Sequence, residues 1–212
     1  MGNRQHIGFW LGVVFIAFLL SPLLRSSEDM QSYALEEIAQ IRGALGDEVG
    51  NRVVSFANAL FDETPLGELA QTASNARHTR DERKLSYEVA GPLGELASVG
   101  LNGYLEGMMV QTYVVAMRGA IVLTWALILF PMLLAAVYDG LMARRVKREE
   151  FGVIRPATFS LTGALIIPLL CMPAVYLVLP MNVSPLLAPA WALLVALPLS
   201  LMVSNMQPIF GR

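Results

Sequence analysis

Few side chains in this sequence could do chemistry. There are two histidines, His6 and His78, and a single cysteine, Cys171. No Ser-His-Asp, Cys-His or metal-ligand spacing can be assembled around either histidine, so nucleophilic catalysis and metal chemistry have no candidates. Gly91-Pro92-Leu93-Gly94, followed by Gly100, Gly103 and Gly107, lacks the Gly-Lys-Ser/Thr that completes a phosphate loop. Cys171 lies inside an apolar run, where an inert buried thiol is expected. No catalytic, cofactor-binding or metal-binding residue is therefore expected, and the chain reads as non-enzymatic.

The chemistry that spacing does offer is electrostatic. Arg144, Arg145, Lys147, Arg148 and Arg155 gather between Asp139 and Pro156, opposed by Asp139, Glu149 and Glu150. The first four could dock an acidic partner surface or contact phosphates. The plainer alternative is that they rest on anionic lipid headgroups and orient the chain. Asp139, next to Gly140, is expected to cap a helix or to pair with Arg144 or Arg145.

These charges must be positioned by elements of a membrane protein. With 55% hydrophobic and 15% charged residues among 212, the chain is too apolar for an ordinary soluble domain. Four uncharged stretches, Ile7 to Leu24, Gly119 to Tyr138, Phe159 to Leu179 and Leu186 to Met206, approach the roughly 20 residues that a bilayer needs. The first has no small-residue cleavage site after it, Pro22 and Arg25 standing there instead, so it reads as a retained anchor. Gly2 is no myristoylation signal, since His6 stands where Ser or Thr is required. Prolines 131, 168, 173, 189 and 198 fall within the later spans, where neighbouring helices must compensate for lost hydrogen bonds. No ionisable residue lies at the midplane of any of the four, which argues against ion transport.

Short basic loops stay inside. The loop at 139–158 is therefore expected in the cytoplasm, with both termini, while 25–118 is expected in the periplasm of a bacterial cell. Arg4 and Arg212 agree with that orientation. The domains expected are thus an anchor at 1–24, a periplasmic domain at 25–118, a second transmembrane helix at 119–138, a basic cytoplasmic loop at 139–158, and two further transmembrane helices in 159–212. The expected fold class is all-α: a polytopic inner-membrane protein with four transmembrane helices and a small helical periplasmic domain between the first and second.

Within 25–118, eight basic and fourteen acidic residues give a net charge of −6. Ser26 before Asp29 predicts a capped helix with an acidic first turn. Met30, Ala34, Ile38, Ile41 and Leu45 then mark one face of that helix, and Gly46 ends it. Val49, Val53, Phe56 and Leu60 mark a second helix, and Thr64-Pro65 starts a third. The mixed charges of His78 to Lys84 predict a solvated loop or helix start. Beyond Pro92 a further helix is expected, in which Gly103 and Gly107, four apart, could pack closely against another helix or another copy. The alternative is that the glycines are merely tolerated.

The segment Leu133 to Leu141, with Tyr138, Asp139 and Gly140 at its end, is followed by Arg144-Arg145 and Phe151-Gly152. It resembles a family of bacterial membrane proteins of integrating conjugative elements and conjugative plasmids. The resemblance implies a partner of the type IV coupling ATPase, the motor that delivers substrates to a type IV secretion channel. The chain would then be an inner-membrane accessory or scaffold subunit in DNA transfer. Its partners would be membrane lipid, the ATPase and further copies of itself, direct nucleic-acid contact being left open. The alternatives are a self-assembled homo-oligomeric ring or pore, and an exclusion or regulatory membrane protein.

Overall fold

The computed structural model describes residues 3–150 and 155–206. Gly2, Arg212 and the Phe151-Gly152 part of the motif lie outside the described residues, as does the side chain of Arg4. Among the described residues every regular element is a helix: α1 (Asn3–Leu24), α2 (Ser27–Leu45), α3 (Asp47–Glu63), α4 (Pro65–Asn75), α5 (Arg80–Glu149), α6 (Pro156–Val178) and α7 (Leu187–Ser204).

The helix boundaries have local causes. The Asp29 amide donates to Ser26 Oγ at 3.1 Å, which satisfies one of the free N–H groups of α2. Gly46, at φ 83°, makes the turn from α2 into α3. Thr64 caps α4 and Pro65 takes its first position, where a missing N–H costs nothing. Thr79 and Glu82 form a reciprocal capping box at the start of α5. The Thr79 amide donates to Glu82 Oε2 at 2.7 Å, and the Glu82 amide to Thr79 Oγ1 at 3.4 Å. α5 is interrupted only at Gly91, where φ 62° and ψ −148° break the helical path. After that break it continues through 119–138 and on to Glu149, so most of the basic stretch read as a loop is helical.

Four helices, α1, α5, α6 and α7, are long and apolar enough to cross a membrane by length and composition. Pro168 and Pro173 sit within α6 and Pro198 within α7 without ending either helix.

The chain divides into two compact units. One comprises Gly12–Ile121 and Val175–Pro185. Its core joins Met30, Ala34 and Ile41 of α2, Val53 and Ala57 of α3, and Val114, Met117 and Ile121 of α5. The buried face of α2 is rotated from the predicted one: Tyr33 and Glu37 are inside, whereas Ile38 and Leu45 are only half-buried. On α3, Gly50, Val53 and Ala57 are buried, and Val49 and Phe56 face outward. Gly50 explains that rotation, because a Cβ there would stand 2.7 Å from Arg42 Cγ and 3.0 Å from Arg42 Cα. The close approach of α2 and α3 selects the small residues.

The other unit comprises Met1–Leu11, Val122–Ala174 and Leu186–Arg212. Ile166, Ala192 and Val195 form its buried apolar core. Trp191 of α7 donates its indole N–H to the Leu169 carbonyl of α6 at 2.5 Å.

Candidate functional site: two clasps built on α5

Arg118, which directly precedes the uncharged stretch Gly119 to Tyr138, has a fully buried side chain, as does Glu37. Glu37 occupies a core position of α2 in the series Met30, Ala34, Glu37, Ile41, where the period calls for an apolar residue. Its carboxylate receives a two-pronged guanidinium contact. Arg118 Nε donates to Oε2 at 3.0 Å and Nη2 to Oε1 at 2.5 Å. The remaining donors reach the end of α6 and the turn after it. Nη1 donates to the Tyr176 carbonyl at 3.1 Å and to that of Leu179 at 2.6 Å, and Nη2 to that of Met181 at 2.6 Å.

A guanidinium has five N–H donors, and all five are used here. The same turn returns a bond to Glu37, the Val183 amide donating to Oε1 at 3.2 Å. Asn182 Nδ2 donates to Glu36 Oε2 at 2.6 Å. The Tyr176 ring lies 5.3 Å from the guanidinium carbon, within cation–π range. α6 has no basic residue in its own last turn. Arg118 supplies from α5 the positive charge that the free carbonyls of a helix end favour.

Two and three turns earlier on the same face of α5 lie Gln111 and Gly107. Ser21 of α1 donates to Gln111 Oε1 at 3.0 Å, and Gln111 Nε2 donates to the Val178 carbonyl at 3.3 Å. A Cβ on Gly107 would come within 2.8 Å of Pro22 Cβ. Gly107 is thus a packing residue against α1 of its own chain. Gly103 has nothing within 4 Å of its Cβ position, so the predicted pair is divided between two environments.

The second unit has a comparable clasp at the other end of α5. Asp139 accepts from Ser200 Oγ at 2.7 Å. That corrects the expected pairing with Arg144 or Arg145; the α7 hydroxyl reaches the carboxylate instead. Gly140 lets α7 come close, since a Cβ would stand 2.6 Å from the Ser200 carbonyl oxygen and 2.8 Å from Val203 Cβ. Lys147 Nζ reaches Asn205 Oδ1 at 3.1 Å, Ser204 Oγ at 3.4 Å and the Ser204 carbonyl at 3.5 Å. α7 also lacks a basic residue in its last turn, so α5 provides the cation for this helix end as well.

The four basic residues proposed for docking are therefore not equivalent. Lys147 is engaged by α7, Arg144 is half-buried, and Arg145 and Arg148 are exposed. Tyr138, the first residue of the motif, is exposed too.

His78 is held through its backbone: its amide donates to Asn102 Oδ1 at 2.7 Å, and Asn102 Nδ2 donates to its carbonyl at 2.9 Å. Among the described residues, no group of three or more His, Cys, Asp or Glu side chains could hold a metal ion.

Sequence reasoning missed both Glu37 and the role of Arg118. The available signals were an acid in a core register and a lone cation set in the apolar run from Met108 to Tyr138. No match is found among curated proteins or among solved structures. A family model described as "IncC plasmid conjugative DNA transfer protein DtrJ-like" matches residues 24–211, a range that contains every residue of both clasps except Ser21 and Pro22. The chain belongs to this DtrJ-like family of conjugative DNA transfer proteins.

Proposed function

We propose that the chain is an inner-membrane accessory subunit of a conjugative type IV secretion system, a scaffold that assists the coupling ATPase in DNA transfer. Family membership supports a role in conjugation, and the apolar helices suit a membrane-embedded part. The observation that carries the finer reading is the division of labour at the end of α5. Asp139, Gly140 and Lys147 fasten α7, while Arg145 and Arg148 stay exposed beyond the apolar segment. By the positive-inside rule this end lies in the cytoplasm with both termini, and 25–118 lies in the periplasm. Two exposed guanidiniums on a helix held in place by its neighbour suit an acidic protein surface.

The reading assigns no catalytic step to the chain. Its most elaborate polar centre uses every Arg118 donor on Glu37 and on backbone carbonyls. Such a centre fixes geometry and leaves no donor for a substrate.

The test is purification of the tagged protein in mild detergent from cells carrying the complete conjugative system. A parallel sample carries Arg144→Gln, Arg145→Gln, Lys147→Gln and Arg148→Gln, with membrane orientation checked. The expected result is recovery of the coupling ATPase with the wild type and its loss with the variant. Arg145→Gln/Arg148→Gln alone should reproduce most of that loss, because those two residues do not touch α7. Absence of the ATPase from the wild-type sample would overturn the proposal.

A further inference from the structure

Just after the capping box of α5, five charged side chains and one tyrosine surround a cleft of about 460 Å³: Arg80, Arg83, Lys84, Tyr87, Glu88 and Glu95. Its volume falls within the range of small-molecule sites. The first five of these residues recur at spacings of three and four, which puts them on one face of the helix. Glu95 joins them from beyond the break at Gly91, whose φ of 62° and ψ of −148° belong to a region open in practice only to glycine. The bend is held by Ser86, which donates to the Gly94 carbonyl at 2.7 Å, and by Gly94 itself, where a Cβ would strike the Ser86 carbonyl oxygen. Backbone geometry therefore brings the sixth lining residue to the other five.

The charges are ordered by sign. Arg80, Arg83 and Lys84 come first along the helix, and Glu88 and Glu95 follow Tyr87. Like charges three and four residues apart repel, so the three cations stand together against their own repulsion. Glu88, four residues after Lys84, is placed to relieve it. Among the described residues, however, no ion pair joins any of the five. Neighbouring charges do find partners: Glu82 closes the capping box and Arg77 pairs with Glu106 at 3.3 Å. Arg83 is the sharpest case, because it is half-buried and its Nε is buried with no acceptor from the protein. A guanidinium donor taken out of water and left unpaired is costly, and it points to an acceptor that the chain itself does not supply.

We propose that this cleft binds a phosphate ester carrying a primary ammonium group, the chemistry of phosphoethanolamine, either free or as the headgroup of a lipid. The phosphate faces Arg80, Arg83 and Lys84, and Arg83 Nε donates to one of its oxygens; guanidinium donors match phosphate in both geometry and charge. The ammonium faces Glu88 and Glu95, beside the exposed Tyr87 ring, whose face attracts cations. A phosphate alone would set an anion against two carboxylates, and an amine alone would leave three cations unanswered. Three positive charges and two negative ones in a single cleft select a ligand of both signs.

The test uses the full chain in uncharged maltoside micelles, without any other protein, so it is separate from the ATPase reading. Isothermal titration employs three probes: phosphoethanolamine, methyl phosphate and ethanolamine. Wild type should bind phosphoethanolamine saturably, at least about tenfold more tightly than methyl phosphate, and should show no saturation with ethanolamine. Arg83→Gln should weaken phosphoethanolamine binding by at least about tenfold. Glu88→Gln/Glu95→Gln should erase the preference for phosphoethanolamine while methyl phosphate still binds. Helix content should stay unchanged in both variants, since these side chains have no ion-pair partner to lose. A second arm repeats the titration in phosphatidylglycerol nanodiscs with and without phosphatidylethanolamine. Suppression by that lipid assigns the site to the headgroup, and persistence assigns it to a soluble ester of the same chemistry. No saturable binding of phosphoethanolamine overturns the proposal. So does equal affinity of wild type for methyl phosphate, or binding that Arg83→Gln leaves intact.

Discussion

Removing one half of the Glu37–Arg118 pair leaves the other charged and buried. Arg118→Ala or Glu37→Ala should therefore destabilise the unit by about 3–5 kcal/mol, read as a lower midpoint of thermal unfolding in detergent. Arg118→Lys should also be destabilising, because an ammonium has three donors and cannot reproduce the two-pronged carboxylate contact together with three carbonyls. The double replacement Glu37→Met/Arg118→Met removes both charges and should cost less than either alanine variant. A wild-type midpoint for Arg118→Ala would contradict the role given to the clasp. A second residue-scale prediction concerns pH. Hydrogen bonds from the Thr79 amide and hydroxyl hold the Glu82 carboxyl below the usual Glu range. A lowered folded-state pKa means that its contribution is present above the unfolded-state value and is lost as pH falls through the folded one. Amide protection in the first turn of α5 should decline over that acidic window, and Glu82→Gln should flatten the decline.

Gly140 and Gly103, both within α5, should respond to alanine in opposite directions, because one is packed and the other is open. Gly140→Ala forces a methyl group against the Ser200 carbonyl and Val203, so α5 and α7 must separate, at a cost of about 1–3 kcal/mol. Gly103→Ala meets open space and should raise helix stability by up to about 1 kcal/mol. Thermal unfolding of both variants checks the pair; equal effects would mean that α7 is not seated on Gly140. Much at this scale was legible in the sequence. Ser26, Gly46 and Thr64-Pro65 mark helix ends through local hydrogen bonding, and charge-free runs locate the apolar helices. The register of α2 and α3 was not legible. Apolar periodicity chose Ile38 and Phe56, but burial follows the partner: Arg118 draws Glu37 inward, and Gly50 lets α3 close on α2. The Glu37–Arg118 and Asp139–Ser200 bonds join residues far apart in the chain, and no local spacing reports such a pairing.

For the whole molecule, the family assignment supports a role in conjugative transfer, as the resemblance around Tyr138, Asp139 and Gly140 implied. The same long helix supplies a cation to the end of α6 and another to the end of α7. Both helices depend on α5 for the charge that completes them. We propose that the protein works in the donor cell as an accessory to DNA export. The most direct measurement is transfer frequency after deletion of the gene from the donor or, separately, from an element resident in the recipient, with coupling ATPase levels monitored. The account predicts a large loss of transfer when the donor lacks the protein, at unchanged ATPase level. Wild-type complementation should restore it, and Arg145→Gln/Arg148→Gln should not. Normal transfer from the deleted donor, or a changed frequency only when the recipient lacks the protein, would contradict it.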